Sequence, residues 1–334
     1  MTGSRVRWGM AGSGLMADLI VPDFALVDNT ELRYLCTRNP ETAKRKYATW
    51  GVEVPLVSDF DAMCNDPEVD LVYIAVPHGL HYQYALKAIA AGKHVLAEKA
   101  FTLTQAQAQD LADRAAAKGV FIMEAMWTRF LPLYEKLQAE IKAGVIGDVK
   151  LTSAFFGYPV PLDESHRLID KSLGGGSLLD QGVYTMNFAD IFFDGAQPTK
   201  IEARGSLLPN GVDGLTLVNL DYGDGRFAQA NSSLTIGLGT EAFIAGTAGN
   251  IHVKGSFWGS DEAEILIASQ TGAPVVRHLT GGKVGAGYSH MIKAVSADIL
   301  AGKTQSDVHP ISNTIRMQGM FDEVLRQLDV DYNA

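Results

Sequence analysis

The first third of the chain alternates short apolar runs with longer segments of helical periodicity. Val6–Ala11 and Leu71–Val76 are apolar stretches of strand length, and Leu15–Val27 and Leu80–Ala91 follow them with helical spacing. Strands that are apolar on both faces are typical of a parallel sheet covered by helices on both sides. Further strands are predicted at Glu31–Thr37, His94–Ala97 and Val120–Met123, and further helices at Pro40–Trp50 and Thr104–Lys118. This alternation predicts right-handed crossovers and a doubly wound, Rossmann-like parallel sheet.

The pattern changes after about Glu124, where strands begin to follow one another directly. After a predicted helix at Pro132–Ala143 and a strand at Val149–Phe156, the stretch from 201 to 279 is mostly strands, with a hairpin signal at Gly223-Asp224-Gly225. Strands in succession predict a largely antiparallel sheet. The closing helices are predicted at Tyr288–Leu300 and Ile311–Leu328. The predicted fold class is therefore α/β, with a Rossmann domain over 1–125 and an α+β domain over 126–334.

Composition and charge narrow the classes of partner. The chain has 334 residues, of which 47% are hydrophobic, so a large core in two domains is within reach. A net charge of −10 disfavours nucleic acid and anionic membranes as partners. The sequence shows no secretory signal and no apolar run of about 18 residues that would suggest a membrane span. Cys36 and Cys64 lack CxxC spacing, so we expect two buried thiols in a reducing cytoplasm.

A glycine-rich turn follows the first predicted strand and opens the first helix. Its sequence is Gly12-Ser13-Gly14-Leu15-Met16-Ala17. The first glycine permits the tight turn, the second lets the backbone approach a pyrophosphate, and the small third residue allows close helix–strand packing. The helix N-terminus then presents free N–H groups to the phosphates. A tight turn without a ligand is the alternative, but the strand–turn–helix context favours a dinucleotide site with Gly12, Gly14, Leu15 and Met16 as cofactor contacts.

The end of the second strand indicates which dinucleotide is used. A carboxylate at this place would bind the ribose 2′-hydroxyl of NAD, but the sequence has Cys36-Thr37-Arg38-Asn39. Arg38 can pair with a 2′-phosphate, and Thr37 can donate a hydrogen bond to it. A solvated surface arginine is the alternative. The residue types favour NADP over NAD.

Two further segments carry groups suited to proton transfer. Lys99 lies in Ala97-Glu98-Lys99-Ala100, at the carboxyl end of a predicted parallel strand, where open α/β sheets bind their ligands. Asp180 and Tyr184 lie four residues apart in the segment from Gly174 to Tyr184, so they share one face of a helix. The alternatives are a solvated lysine, an aspartate that serves the helix dipole and a tyrosine in the core.

These segments together resemble the glucose–fructose oxidoreductase/inositol dehydrogenase (Gfo/Idh/MocA) family. The resemblance rests on three ordered motifs: the turn from Gly12 to Ala17, the run Ala91-Gly92-Lys93-His94-Val95-Leu96-Ala97-Glu98-Lys99 and the Gly174-to-Tyr184 segment. Glu124-Ala125-Met126-Trp127-Thr128-Arg129-Phe130 is similar to the branch of dimeric dihydrodiol dehydrogenases and NADP-dependent D-xylose dehydrogenases. The resemblance covers essentially the whole chain. It implies a C-terminal domain with a large open sheet that binds substrate and through which two chains form a homodimer.

The resemblance also implies roles for individual residues. A catalytic lysine maps onto Lys99, and an aspartate–tyrosine pair maps onto Asp180 and Tyr184. Relatives usually have proline after the Glu-Lys pair, often in a cis peptide, where this chain has Ala100. A cis bond before a non-proline residue costs about 2.5–4 kcal/mol, which favours trans, but the sequence leaves the geometry of the Lys99–Ala100 bond open. Many relatives have histidine in place of Tyr184, so the acid/base group here would be a phenol.

Additional binding residues follow from the same resemblance. The loop containing Pro77, His78 and His81 would pass the nicotinamide and its ribose, beside Glu98 and Lys99. A zinc site at the two histidines lacks further ligands in the sequence, so no metal is expected. The side chains expected to line the substrate pocket, with Asp180 and Tyr184, are Trp127, Arg129 and Phe156.

The resulting hypothesis is an enzyme that moves hydride between NADP and a CH–OH or carbonyl carbon. The substrate would be a sugar, a cyclic polyol or a vicinal diol. Tyr184 would take the hydroxyl proton, aided by the positive charge of Lys99, and Asp180 would orient Lys99 or a substrate hydroxyl. Lys99 itself is the alternative proton-transfer group. Two other readings are a nucleotide-binding regulator without catalysis and an enzyme that never releases its NADP.

Overall fold

A computed structural model describes residues 5–163, 166–268 and 272–332. The chain forms two compact units: Met1–Phe130 with Val284–Gln318, and Leu131–Lys283 with Gly319–Ala334. Both units contain two stretches of chain, whereas the domains predicted from the sequence, 1–125 and 126–334, are continuous. Within the described residues, no helix is both long and apolar enough to cross a membrane.

The first unit is built on a six-stranded, entirely parallel sheet. Its strand order is β3-β2-β1-β4-β5-β6. The strands are β1 (Val6–Ala11), β2 (Thr30–Cys36), β3 (Leu56–Val57), β4 (Leu71–Ile74), β5 (His94–Ala97) and β6 (Ile122–Glu124). All four residues of β4 are buried, as expected for a strand covered on both faces. The strand order places β1 and β4 side by side at the centre, with their carboxyl ends at one edge of the sheet.

Within the described residues, six α-helices lie between these strands: α1 (Leu15–Phe24), α2 (Pro40–Lys44), α3 (Tyr47–Trp50), α4 (Phe60–Asn65), α5 (His81–Ala90) and α6 (Gln105–Lys118). From the end of the chain, the first unit also includes α9 (Tyr288–Leu300) and the first part of α10 (Ile311–Gln327). In α6 the Thr104 side chain accepts a hydrogen bond from the Gln107 N–H, and Gly119 ends the helix in the left-handed conformation. These caps explain why the sequence located this helix to within one residue.

The second unit contains an eight-stranded, mostly antiparallel sheet. Its order is β14-β13-β12-β11-β7-β10-β9-β8, in which only the β7–β10 pair is parallel. The strands are β7 (Val149–Gly157), β8 (Lys200–Leu207), β9 (Asp213–Gly223), β10 (Arg226–Ser233), β11 (Ala242–Gly246), β12 (Gly249–Val253), β13 (Glu262–Ile267) and β14 (Val275–Thr280). Helices α7 (Pro132–Lys142) and α8 (Val183–Phe192) also belong to this unit. The predicted hairpin at Gly223-Asp224-Gly225 joins β9 to β10.

The fold class predicted from the sequence is confirmed, with two local corrections. The predicted helix over Pro40–Trp50 is two short helices, because the Lys46 N–H donates to the Ala43 carbonyl oxygen, three residues back, and interrupts the regular i→i−4 pattern between α2 and α3. The strand β3 and the helix α4 were not predicted. Two residues of β3 are too few to show a hydrophobic period, and α4 begins at a capping aspartate, Asp59, whose carboxylate accepts two backbone N–H bonds.

Candidate functional site

The turn between β1 and α1 has the geometry of a pyrophosphate site. Gly12 has φ +113°, and a Cβ there would lie 2.3 Å from the Ala75 carbonyl oxygen, so only glycine fits. At Gly14 a Cβ would meet nothing within 4 Å, which leaves room for a ligand against the backbone. No side chain in the described part of the chain caps the N-terminus of α1. The residues present therefore fit a dinucleotide pyrophosphate.

The end of β2 meets this turn through polar side chains. The hydroxyl groups of Ser13 and Thr37 are 2.7 Å apart, and Arg38 beside them is exposed. The ammonium of Lys46 donates to the Ser13 carbonyl oxygen and to Asp18 Oδ2, both at 2.9 Å. Asp18 lies in the first turn of α1, where its negative charge would oppose a phosphate. Lys46 neutralises that charge, a role that no local pattern in the sequence indicates.

The loops after β4 and β5 hold most of the remaining candidates in the first unit. His78 is 5% exposed and His81 is fully buried, and their rings meet edge to face at 5.7 Å. The ring nitrogens of His81 contact the carbonyl oxygens of Val76 (2.7 Å) and Ala100 (3.0 Å). Burial lowers the pKa of His81. Both ring nitrogens thus face backbone carbonyl oxygens, and because a neutral imidazole carries a single N–H, the ring donates to one of the two. A cofactor-binding role for His81 stays a prediction.

Lys99 is followed by a cis peptide bond. The bond joins Lys99 to Ala100, so the geometry that the sequence left open is cis. Lys99 is half-buried, whereas Glu98 before it is only 4% exposed.

Glu98 has an unusual protonation equilibrium. Tyr73 donates its hydroxyl hydrogen to Glu98 Oε1. Burial raises the pKa of Glu98 to about 7, against the opposing effects of the Tyr73 hydrogen bond and the positive charge of Lys99. A carboxyl with this pKa exchanges its proton near neutral pH, next to the lysine expected to work on substrate.

Trp127 and Arg129 lie in a short 3-10 turn that follows β6. The Trp127 ring is 5% exposed and stacks on Tyr288 with centroids 4.4 Å apart. Arg129 is half-buried, and its backbone N–H bonds to the Met126 carbonyl oxygen. The stacking fixes the orientation of Trp127. A pocket-lining role for the two side chains stays a prediction.

In the second unit, the segment from Gly174 to Tyr184 forms a glycine turn, a π-helical turn and the start of α8. The π-helical turn covers Leu178–Gly182 and contains Asp180, and Tyr184 lies in the first turn of α8. Single π-helical turns occur often at functional sites because they re-aim side chains within a helix. The four-residue spacing between Asp180 and Tyr184 therefore spans a π–α junction and not a regular α-helix.

A distant aspartate holds the start of this segment. Asp213 is fully buried, and its Oδ2 accepts hydrogen bonds from Ser177 Oγ and from the Leu178 N–H, both at 2.7 Å. Burial raises the pKa of Asp213, against these hydrogen bonds. A Cβ at Gly176 would lie 2.2 Å from Asp213 Oδ1, so the glycine leaves space for the carboxylate. Asp213 thus caps the helical segment that carries Asp180 and Tyr184.

Aromatic rings surround Tyr184 within the second unit. Phe156 and Trp258 stack face to face with centroids 3.5 Å apart, and the Tyr184 ring lies 5.8 and 6.0 Å from them. Asp180 is 5% exposed and forms an ion pair with Arg167, at 3.3 Å. The site region thus combines a phenol, a carboxylate, a guanidinium and flat apolar rings.

The structure gathers most of the predicted residues into three places, leaves Trp127 and Arg129 in the turn after β6, and adds several residues that sequence reasoning missed. The glycine turn, Thr37 and Arg38 meet at the β1–α1 turn, the segment from Pro77 to Lys99 supplies the second place, and Phe156 joins Tyr184 in the third. The missed contributors are Lys46, Arg167, Asp213 and Trp258. A charged or aromatic residue far along the chain gives no local pattern that would assign it to a site.

This combination of a parallel sheet and a glycine turn open to a pyrophosphate defines a dinucleotide-binding Rossmann domain. The model of an oxidoreductase family with an NAD-binding Rossmann fold matches residues 6–126, and the model of the Gfo/Idh/MocA C-terminal domain matches residues 134–252. The chain belongs to the Gfo/Idh/MocA family, as the sequence motifs predicted. Among the interpretations that the sequence left open, a regulator without catalysis is thereby set aside, and the protein is a dehydrogenase or reductase.

Individual relatives agree with this assignment. The chain is 29% identical to the trans-1,2-dihydrobenzene-1,2-diol dehydrogenase of Xenopus tropicalis, covering 98% of this chain and 99% of the relative. A 3-ketoreductase from Actinomadura kijaniata, solved with NADP and TDP-benzene, is 25% identical with a TM-score of 0.82, over 97% of this chain and 98% of that one. Levoglucosan dehydrogenase, solved with NADH and levoglucosan, shares the fold at 20% identity and a TM-score of 0.84, over 98% of both chains.

Proposed function

We propose that the protein is an NADP(H)-dependent oxidoreductase that transfers hydride to or from a CH–OH or carbonyl carbon of a sugar, cyclic polyol or vicinal diol. The observation that carries the proposal is the pyrophosphate turn, with open space at Gly14, beside a strand end that has Thr37 and Arg38 in place of a carboxylate. A bound nicotinamide would supply the hydride acceptor or donor. The residues of this chain would bind and orient the substrate and would move the proton.

The proposed preference for NADP rests on charge and hydrogen bonding at the end of β2. Arg38 is exposed and offers a planar guanidinium to a 2′-phosphate. The Ser13 and Thr37 hydroxyl groups lie beside it, 2.7 Å apart. Lys46 adds a second positive charge near the turn and offsets Asp18. NAD would need a hydrogen-bond acceptor for its 2′-hydroxyl, and the local sequence offers no carboxylate.

Removing the guanidinium tests this preference. We expect Arg38→Ala to raise the Kd for NADPH by about 10–100-fold, because a charge-assisted pair to phosphate is lost, and to change the Kd for NADH by less than about threefold. Fluorescence titrations of both dinucleotides against wild type and variant give the four constants. Arg45→Ala, which removes an exposed arginine of the same region, is the matched control. Equal losses for NADPH and NADH would contradict the 2′-phosphate assignment.

The proposed chemistry assigns proton transfer to one of two groups. In oxidation the Tyr184 phenolate would take the hydroxyl proton of the substrate and become a phenol, and in reduction the phenol would return this proton to the developing alkoxide. Lys99 is the alternative for this step and otherwise holds the substrate oxygen. Asp180, paired with Arg167, would orient a substrate hydroxyl. In line with these two residue types, the A. kijaniata ketoreductase was also solved as variants that replace a lysine by alanine and a tyrosine by phenylalanine.

The proposed substrate class follows from the residues around Tyr184 and from the relatives. Carboxylate and guanidinium groups beside flat aromatic rings suit a ring or short chain that carries hydroxyl groups. The relatives named above act on a dihydrodiol and on levoglucosan, according to their names. A panel of aldoses, cyclic polyols and vicinal diols, followed by NADPH formation, tests the class. Turnover with simple monohydric alcohols alone would contradict it.

We also propose a homodimer formed through the sheet of the second unit. Leu151, Leu217, Phe227 and Phe243 lie on one face of this sheet and are 37%, 39%, 47% and 38% exposed. Large apolar side chains grouped on one exposed face mark a surface for association. Sedimentation velocity should give the mass of two chains, and Phe227→Lys should lower it towards one. A single-chain mass for the wild type at micromolar concentration would contradict the dimer.

The proposed location is the cytoplasm. Cys36 and Cys64 are both free and buried. Burial raises their pKa values to about 11 and about 12. Thiols in this state need no oxidising compartment.

A further inference from the structure

Lys99 is the accessible residue of an otherwise buried segment. Glu98 is 4% exposed, and Ala100, Phe101 and Thr102 are fully buried, whereas Lys99 is half-buried. A buried segment must satisfy its backbone polar groups with partners from the protein. The partners it uses therefore determine where the Lys99 backbone lies.

Three consecutive residues after Lys99 are each bonded through the backbone to a side chain of a different element. The Ala100 carbonyl oxygen contacts His81 Nδ1 at 3.0 Å, and the Phe101 N–H donates to Glu124 Oε1 at 3.2 Å. Gln318 Nε2 donates to the Thr102 carbonyl oxygen and, at 2.9 Å, to Thr102 Oγ1. The three side chains come from α5, β6 and α10, and each is at most 1% exposed.

Glu124 is itself held by further buried groups. Its Oε2 lies 3.1 Å from His309 Nε2 and accepts a hydrogen bond from Thr314 Oγ1, also at 3.1 Å. His309 and Thr314 are fully buried. One carboxylate oxygen accepts the Phe101 N–H and the other contacts His309 and Thr314, so the carboxylate has little freedom to rotate. The position of the Phe101 N–H is therefore fixed as well.

His81 ties two loops of the candidate site together. Its second ring nitrogen contacts the Val76 carbonyl oxygen at 2.7 Å, one residue before Pro77 and two before His78. The same ring thus bridges the loop after β4 and the loop after β5, which leave neighbouring parallel strands. The relative placement of His78 and Lys99 depends on this bridge.

We propose that His81, Glu124 and Gln318 are positioning residues that hold Lys99 in its working geometry at the carboxyl end of β5. The proposal rests on the proposed function in so far as Lys99 works on the substrate. None of the three needs to touch substrate or cofactor, because each acts through the backbone that follows Lys99. Small displacements of a working group reduce rate more than they reduce binding.

Replacing Gln318 by methionine tests the proposal with little change in side-chain volume. Gln318→Met removes both hydrogen bonds to Thr102. We expect kcat to fall by about 10–100-fold, with KM and the Kd for NADPH within about threefold of wild type. Hydrogen exchange in a peptide spanning residues 95–106 should become faster. His81→Asn, whose shorter side chain cannot bridge Val76 and Ala100, should show the same two effects and serves if Gln318→Met does not fold.

Ser296→Ala is the matched control, since it removes a buried hydrogen bond to Trp8 Nε1 in the same unit without touching the segment. It should lower the melting temperature while retaining the wild-type kcat and exchange pattern. A wild-type kcat in folded Gln318→Met, or an equal kcat loss in Ser296→Ala, would overturn the proposal. Exchange is measured without turnover, so unchanged exchange in both segment variants would also overturn it. Wild-type protein without NADP-linked turnover would contradict only the proposed function.

Discussion

Tyr184→Phe should lower kcat by about 10²–10⁴-fold and leave the Kd for NADPH within about threefold of wild type. The reason is that the variant loses the phenol proposed to exchange a proton with substrate, while it keeps the ring. Tyr184 is 7% exposed and its ring lies beside Phe156 and Trp258, so phenylalanine retains these contacts and folding should be little affected. Steady-state kinetics with a substrate from the sugar and diol panel give kcat, and a fluorescence titration gives the Kd for NADPH.

The control for this result is a buried phenol that does not contact Phe156, Tyr184 or Trp258 in the ring contacts described above. Tyr222 is 4% exposed and packs against Phe193 in the same unit, so Tyr222→Phe should keep the wild-type kcat. Wild-type turnover in Tyr184→Phe would contradict the assignment of the phenol. Proton transfer would then fall to Lys99, and Lys99→Met would be expected to show the loss.

Gly12→Ala and Gly14→Ala should differ sharply, although they lie two residues apart in one turn. At Gly12 the methyl group would lie 2.3 Å from the Ala75 carbonyl oxygen on a backbone with φ +113°. We expect this variant to lose about 2–5 kcal/mol of unfolding free energy, because the turn must rearrange. At Gly14 the methyl group meets no protein atom within 4 Å and φ is −77°, so stability should be retained.

The two glycine variants should also differ in how NADPH binding responds to the added methyl group. The methyl group of Gly14→Ala would fill the space proposed for the pyrophosphate, so the Kd for NADPH should rise by at least about tenfold in a protein of normal stability. Thermal unfolding and fluorescence titration measure the two effects. Unchanged NADPH binding in Gly14→Ala would show that the pyrophosphate does not approach this backbone.

The elements that could be predicted from the sequence are those determined by local pattern. Val6–Ala11, His94–Ala97 and Tyr288–Leu300 have the predicted bounds, because apolar runs or helical periods end at turn residues there. The glycine turn could be predicted for the same reason, since its three small residues stand directly between a strand and a helix. Motif resemblance then gave the family and the fold of the second unit.

What the sequence did not predict depends on contacts between distant residues. The π-helical turn at Leu178–Gly182 begins where Asp213, more than thirty positions away, accepts the Leu178 N–H at 2.7 Å. Arg167 forms an ion pair with Asp180, and Glu124 accepts a hydrogen bond from the Phe101 N–H. No regular spacing in the sequence links the members of either pair. A polar residue of this kind looks like any other polar residue until the fold brings its partner to it.

We propose that the chain binds NADP at the β1–α1 turn and uses it for hydride transfer. The most direct measurement is a fluorescence titration of purified, cofactor-free protein with NADPH and, separately, with NADH. We expect saturable binding of both dinucleotides, with a clear preference for NADPH. Binding of neither dinucleotide would contradict the claim, and a preference for NADH would contradict the role given to Arg38.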